Sequence, residues 1–369
     1  MTGSNMRRLA AAVAVLLAMV AAALWLSAPL QDSVLRRAVA KQLQPPLAPL
    51  SADRAFRVVF CGTGSPLPDR TAAKSCLAVF AAGKFFVVDT GPESTENLLA
   101  WRLPLAKLDG VLLTHFHSDH IGELGELNLQ SWLQGRTAPL PVYGPPGVEK
   151  VVAGFNLAYA QDEDFRHAHH ARDRGLLPLS GSTLSAHSLP FLETGKPESP
   201  ASAVVYEQAG LRITAFAVDH GVVRPAYGYR FDYRGRSVVV SGDTRPSAGL
   251  AVAAAGADVL VHEAQSKELM SLIAGEAGRA GNPALSTLLA DTNEYHTSPV
   301  EAAKLANTAV VRELVFTHFT PPISNPLARH AFFRGVKAVR RQHWRAARDG
   351  LWLEIPMDGS AIKSGVVKR

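Results

Sequence analysis

Seven consecutive residues, Thr114-His115-Phe116-His117-Ser118-Asp119-His120, hold three imidazoles and a carboxylate. These are hard-to-borderline ligands that suit Zn²⁺, Mn²⁺ or Fe²⁺. In an extended segment alternate side chains share a side, so His115 and His117 point together. A turn after them can swing Asp119 and His120 toward a second cation. Chance accumulation in a polar loop is a poor account of so dense a cluster. The only two cysteines, Cys61 and Cys76, form no CxxC pair, which argues against a thiolate zinc site. They are expected as buried small hydrophobes, with a disulfide between them open if the body is exported. The loop Gly62-Thr63-Gly64-Ser65-Pro66 lacks the Lys-Ser/Thr ending of a phosphate-binding loop. Further on stands Tyr295-His296-Thr297-Ser298-Pro299-Val300-Glu301. Ser298 with Glu301 reads as a capping box, and Pro299 fits the first helical position. His296 is therefore held in a turn just before a helix start.

These groups need elements to carry them. From Ala55 onward, apolar β-rich runs alternate with turns and helical stretches. Strand Gly110–Thr114 feeds directly into the histidines. Further strands are predicted at Phe56–Cys61, Cys76–Ala81, Lys84–Asp89, Val142–Gly144, Ala203–Gln208, Leu211–Val218, Ala226–Tyr233, Arg236–Ser241, Val259–His262, Leu314–Thr317 and Leu351–Ile355. Helices are predicted at Ser94–Trp101, Ile121–Gln134, Gly147–Gln161, Pro246–Ala255, Pro299–Thr308 and Leu327–Arg345. Strands outnumber helices and hairpins are frequent. The mixture suggests two sheets with helices outside them.

The chain has 369 residues and is 47% hydrophobic, ample for a packed core. Arg7-Arg8 precede an uncharged apolar run, Leu9–Leu26. That run is long for a signal peptide and just long enough to span a bilayer. An uncleaved signal anchor or a cleaved signal peptide over residues 1–30 both fit. A positive N-terminal flank then places the rest outside the cytoplasm, tethered to the inner membrane by residues 9–26. Residues 31–55 read as a tether, with a helical stretch near Val34–Leu43 and a Pro-containing segment, Gln44–Pro49. Residues 56–369 read as the catalytic domain. Six cations against two acids in residues 1–55 account for most of the net charge of +6. The body is nearly neutral, which disfavours a protein held to nucleic acid mainly by phosphate contacts.

The His115–His120 cluster resembles the HxHxDH signature of the metallo-β-lactamase superfamily. The resemblance runs from about Arg57 to Ile355. It implies a four-layer αββα sandwich with the site at one edge of the two sheets. Three later segments match the family order: Asp219-His220, Ser241-Gly242-Asp243-Thr244 and Thr317-His318-Phe319. Each lies just beyond the end of a predicted strand, where loops gather into sites. By resemblance, His115, His117 and His220 would hold one divalent metal, and Asp119, His120 and His318 a second. Asp243 would bridge them. The metals, most simply Zn with Mn or Fe as alternatives, would lower the pKa of bound water. Asp119 would orient or deprotonate that nucleophile. His296 matches a histidine that protonates the leaving oxygen in ribonuclease Z-like members. His262 or Glu263, in Val261-His262-Glu263-Ala264, is open as a group that orients ligands. His167, His169 and His170 match no ligand position and are expected on a solvated loop.

The Gly-Thr-Gly-Ser-Pro-Leu opening, Ser-Gly-Asp-Thr and Tyr-His-Thr-Ser-Pro segments are similar to the ribonuclease Z-like branch. Asp243 stands where β-lactamases usually have cysteine or serine, which argues against antibiotic hydrolysis. In ribonuclease Z a long arm that grips tRNA lies between the third metal histidine and the bridging aspartate. Here only 22 residues separate His220 from Asp243, and two strands fill them. The segments Ala226–Arg230 and Gly242–Arg245 look closest to arylsulfatase-type members. The expected substrate is therefore a small anionic ester, sulfate or phosphodiester, with nucleic acid disfavoured. A ribonuclease Z-type endonuclease and a lactone or acyl hydrolase are the alternatives, and a homodimer is compatible with either. The basic residues Arg329, Arg334, Lys337, Arg340, Arg341, Arg345 and Arg348 are read as the solvated face of an amphipathic helix. An exported nuclease would use them for phosphates.

Overall fold

The computed structural model describes residues 3–43, 55–171, 175–193, 201–359 and 361–367. The chain divides into two units, Met1–Ala48 and Pro49–Arg369. The first holds two helices, Gly3–Leu26 and Ala28–Leu43. Within it, Asn5–Leu26 is long and apolar enough to cross a membrane, and its side chains are unburied. The second helix begins earlier than the expected Val34. Most of the proposed Pro-containing tether, residues 44–49, lies outside the described residues.

In the second unit, six strands come first: β1 Ala55–Gly62, β2 Cys76–Ala81, β3 Lys84–Val88, β4 Gly110–Leu112, β5 Leu140–Gly144 and β6 Leu184–Ser188. Seven more form a second sheet: β7 Ser202–Gln208, β8 Leu211–Ala217, β9 Tyr227–Tyr233, β10 Arg236–Val240, β11 Val259–Gln265, β12 Glu313–Thr320 and β13 Trp344–Ala346. The last two, β14 Leu351–Pro356 and β15 Lys363–Val366, return to the first sheet. The sheet orders are β15-β14-β1-β2-β3-β4-β5-β6 and β13-β12-β11-β10-β9-β8-β7.

Alternation along the strands makes the sandwich. Phe56, Val58 and Phe60 of β1 meet Ile213, Ala215, Tyr229 and Phe231 of β8 and β9 in one buried core. Burying each large side chain there contributes roughly 1.5–3 kcal/mol. Helices cover the outer faces. Val148–His170 lies on β5 and β6, and Ser94–Ala100 on β1. On the other side, Ala302, Ala303 and Ala306 of helix Pro299–Thr308 pack with Leu260, Leu314 and Phe316. The small alanines let that helix sit close to β11 and β12.

Four expectations change. Cys61 and Cys76 form a disulfide between paired strands β1 and β2, not two buried thiols. The helix expected at Leu327–Arg345 is two short ones, Pro326–Phe332 and Val336–Val339, followed by β13. Gly335 breaks it with φ +85°, and β12 recruits Trp344–Ala346 as an edge strand. The helix expected to end at Gln161 continues to His170, so His167, His169 and His170 are helical, not on a loop. An Arg166–Asp162 ion pair of 2.7 Å and the histidines near the C-terminal dipole support that extension. Helices Lys267–Arg279 and Pro283–Asp291 were not anticipated.

Candidate metal centre

The candidate ligands come from the loops after three strands and from a bulge within a fourth. β4 ends at Leu112 and releases His115–His120. β8 ends at Ala217 and releases Asp219-His220. β10 ends at Val240 and releases Asp243. Gly242 makes that last turn with φ +62°, where a Cβ would strike the Tyr227 carbonyl and Thr114. β12 behaves differently from the expectation, because it runs on past His318 to Thr320. Between β11 and β12 the pairing shifts, so that His318 is an extra residue with φ +50°. The bulge lifts His318 out of the ladder.

These loops bring all seven predicted ligands together. One group able to hold a cation is His115, His117, His220 and Asp243; a second is Asp119, His120 and His318. His117 is the exposed member; the others are buried. Oδ2 of Asp243 lies 3.4 Å from Nε2 of His120 and 3.5 Å from Nε2 of His318. It lies 3.9 Å from Nε2 of both His115 and His220. One carboxylate oxygen thus faces four imidazole nitrogens.

The donor set fits divalent metal. Nε2 of His120 and Nε2 of His220 are buried with no hydrogen-bond partner among the described residues. With the rings neutral, each offers a lone pair aimed inward, because the other ring nitrogen is occupied. With no cation in place, burial lowers the His120 pKa, but Asp243, Asp119 and Asp89 outweigh it and keep that ring charged. His120 Nδ1 is 2.8 Å from Asp89 Oδ2, and His220 Nδ1 is 3.1 Å from the Tyr295 carbonyl oxygen. Asp89 is itself fixed by the Thr114 backbone N–H and hydroxyl. Burial keeps His115 well below its ordinary pKa and His220 down to about 4, so both rings are neutral and able to ligate. Burial pushes the Asp243 carboxyl up, but His318 and His120 outweigh it and hold it ionised. The same balance, with His120 and His318 prevailing over burial, keeps Asp119 ionised.

His296 stands over the same point. It groups with Asp243 and His318, and its ring lies 5.1 Å from that of His220. Its Nδ1 is 3.0 Å from Glu263 Oε1, which also accepts from the Thr297 backbone N–H at 3.0 Å. Burial lowers the His296 pKa, but the Glu263 charge and hydrogen bond raise it above the ordinary value. The capping box at Ser298 and Glu301 is formed, with Pro299 opening the helix. Between the two open readings of His262 and Glu263, the geometry separates them: Glu263 orients His296, whereas His262 is fully buried and bonds to the Glu263 carbonyl. Asp89 was missed. Its signal was its place at the end of a predicted strand, followed by Thr90-Gly91.

A family model described as a beta-lactamase superfamily domain matches residues 85–319. The chain belongs to the metallo-β-lactamase superfamily. It is a metal-dependent hydrolase of that superfamily, acting on ester bonds. Ribonuclease Z of Mycolicibacterium paratuberculosis is 35% identical over 271 residues, 73% of this chain and 87% of that protein. Ribonuclease Z of Mycobacterium bovis is 36% identical over the same shares. The fold is shared with the metallo-beta-lactamase fold protein YhfI of Bacillus subtilis at 20% identity and TM-score 0.55, covering 82% of this chain and 100% of that one. It is shared with the short form of human tRNase Z at 22% identity and TM-score 0.56, covering 81% and 99%.

These relatives correct one expectation. A nearly neutral body and a short His220–Asp243 connection disfavoured nucleic acid. Relatives named ribonuclease Z, at 35% identity or more, overturn that. Net charge is an average over the whole surface and does not report the field of a local patch.

Proposed function

We propose that the chain is a dinuclear phosphodiesterase of the ribonuclease Z type whose substrate is an RNA phosphodiester. His115, His117 and His220 would hold one cation and Asp119, His120 and His318 the other, with Asp243 available to both groups. Zn²⁺ suits this His/Asp set best, with Mn²⁺ and Fe²⁺ as alternatives. Bound there, the cations supply positive charge for phosphoryl oxygens and acidify water. Asp119, held ionised, orients the attacking water and accepts its proton. His296 gives a proton to the leaving oxygen from Nε2, because Glu263 occupies Nδ1. Glu263 also keeps that ring charged before the step.

The observation that carries this reading is the meeting of four imidazoles on Asp243 Oδ2, with the Glu263-anchored His296 at the same point. The apolar helix Asn5–Leu26 and the Cys61–Cys76 bridge support a body tethered outside the cytoplasm. A second reading, a small phosphodiester, is favoured by one feature. The stretch from His220 to Asp243 is a short loop and the β9–β10 hairpin.

The test is one substrate panel. The full chain, in detergent and loaded with Zn²⁺ or Mn²⁺, receives a single-stranded RNA, an aryl phosphodiester, an aryl sulfate and a lactone. Cleavage of RNA and the aryl phosphodiester is expected. Turnover of the sulfate or the lactone alone would overturn the proposal, and turnover of only the small diester would select the second reading.

A further inference from the structure

The broken C-terminal helix gathers cations that a straight helix would have spread along one face. Helices Pro326–Phe332 and Val336–Val339 flank an open groove of about 550 Å³. Its rim carries Arg329, His330, Arg334 and Lys337; the half-buried Trp344 ring lines its floor, and Phe333 is buried beside it with the Arg329 guanidinium 5.7 Å over its ring. Those two rings lie 5.3 Å apart. All four rim residues are exposed. Among the described residues Arg329 and Lys337 have no carboxylate partner. Arg334 reaches only Glu268, at 3.3 Å, in a pair that is largely exposed on both sides. Arg340 is excluded, since it donates to the Val311 and Arg312 carbonyls and to Asn307.

The groove is separate from the metal centre but is built on the same strand, β12. Phe333 packs 6.1 Å from Phe319, the residue after His318. Trp344 pairs with Leu314, four residues before His318 on β12. At ~3.3 Å per residue that places Trp344 ~13 Å along the strand from His318. A solvated basic face accounts for exposed cations on a helix. It does not account for cations from two short helices converging on one groove with the half-buried Trp344 ring at its base. That combination suits a single nucleic-acid strand, whose phosphates meet the rim and whose base stacks on the floor.

We propose that this groove docks a single-stranded segment of the RNA whose scissile bond lies at the metal centre. The proposal rests on the phosphodiesterase reading for the cleavage site, but the docking is measured separately. A 5′-labelled single-stranded RNA of ~12 nucleotides is titrated with full-length protein in detergent by fluorescence anisotropy. The titration is repeated over a salt series, and aryl phosphodiester turnover is measured beside it. Arg329→Glu with Lys337→Glu is expected to weaken RNA binding at least tenfold. It should flatten the salt dependence by ~1.4 logarithmic units, since each lost phosphate contact to a single strand contributes about 0.7. Turnover of the small diester should not change. The charge-keeping pair Arg329→Lys with Lys337→Arg should retain binding. Unchanged RNA affinity in the reversed-charge variant would overturn the proposal. So would a change in oligomeric state alone, which would assign the groove to self-association. RNA bound through these residues but not cleaved would keep the docking site and refute the proposed function instead.

Discussion

Asp243 and His296 share one spot, and the proposed function gives them separable duties. Asp243→Ala removes the oxygen that four imidazoles face, so metal should be lost together with activity. His296→Ala leaves both ligand groups intact. It should retain metal by elemental analysis and lose about 10²- to 10⁴-fold in rate, the usual contribution of a positioned acid. Equal metal loss in the two variants would refute the role given to His296. Glu263→Gln addresses the proton itself. Burial lowers the His296 pKa and Glu263 raises it, with Asp243 adding to the rise and His120 opposing it. The acid works only while protonated, so rate falls as pH rises through its pKa. Without the Glu263 charge that pKa drops, and the falling limb of the pH profile should move to lower pH. Bound cations are common to both proteins, so the sign of the difference is theirs to share. A limb that stays in place would show that His296 is not the acid. Much of this site was legible in residue types, because imidazoles and carboxylates at these spacings have few other uses. Asp89 was not, since an aspartate ending a strand looks like any turn residue until it is seen beside His120.

The elements were legible where periodicity was strong. β8 and β9 alternate cleanly, with Ile213, Ala215, Tyr229 and Phe231 all entering the core. The one connection that short-range patterning misjudged most is the C-terminal helix. Phe332, Phe333 and Val336 keep a helical spacing, but tertiary packing on Phe316 and Phe319 and the positive φ of Gly335 override it. β6 and β15 escaped notice because partly exposed residues such as His187 and Lys363 give no apolar signal. The Cys61–Cys76 bridge was open rather than expected, because pairing depends on strand register, and β1 places Gly62, not Cys61, opposite Cys76. Its contribution can be measured. The bridge spans a sequence separation of 15. Loop-closure entropy for a loop of that size is worth about 3 kcal/mol. Cys61→Ala with Cys76→Ala should lower unfolding free energy by about that amount in denaturant titration and leave metal content unchanged. No loss of stability would mean that β1–β2 pairing alone holds this corner.

For the whole molecule, a metal centre of the proposed kind would be a stability device as well as a reactive one. Four loops from two sheets converge on it, tied to one another by bonds such as Arg245 N–H to the Asp219 carbonyl and the Arg245–Asp219 ion pair, and the site adds a further tie. Without cations, Nε2 of His120 and of His220 are buried with no hydrogen bond among the described residues, the Asp243 carboxylate lying 3.4 and 3.9 Å away. An unsatisfied buried polar atom costs about 1–3 kcal/mol. A ligand that binds only the folded state adds about 2.7 kcal/mol at a free concentration of 100 times its Kd. Chelation should therefore lower the melting temperature of the full chain in detergent, and Zn²⁺ should restore it. The pH dependence follows from the same rings. Folded His220, with its pKa down at about 4, stays neutral where an unfolded histidine is already charged. A lowered histidine pKa means the folded state binds fewer protons between the two values, so this group weakens folding as pH falls from about 6.5 toward 4. Protons and metal compete for the same lone pair, and the zinc-dependent part of the melting temperature should shrink over that window. Asp243→Ala should melt at one temperature with or without Zn²⁺. If the wild-type protein also melts identically before and after chelation, the four loops are held by packing and these direct bonds alone, and the site adds no further tie between the two sheets at this edge.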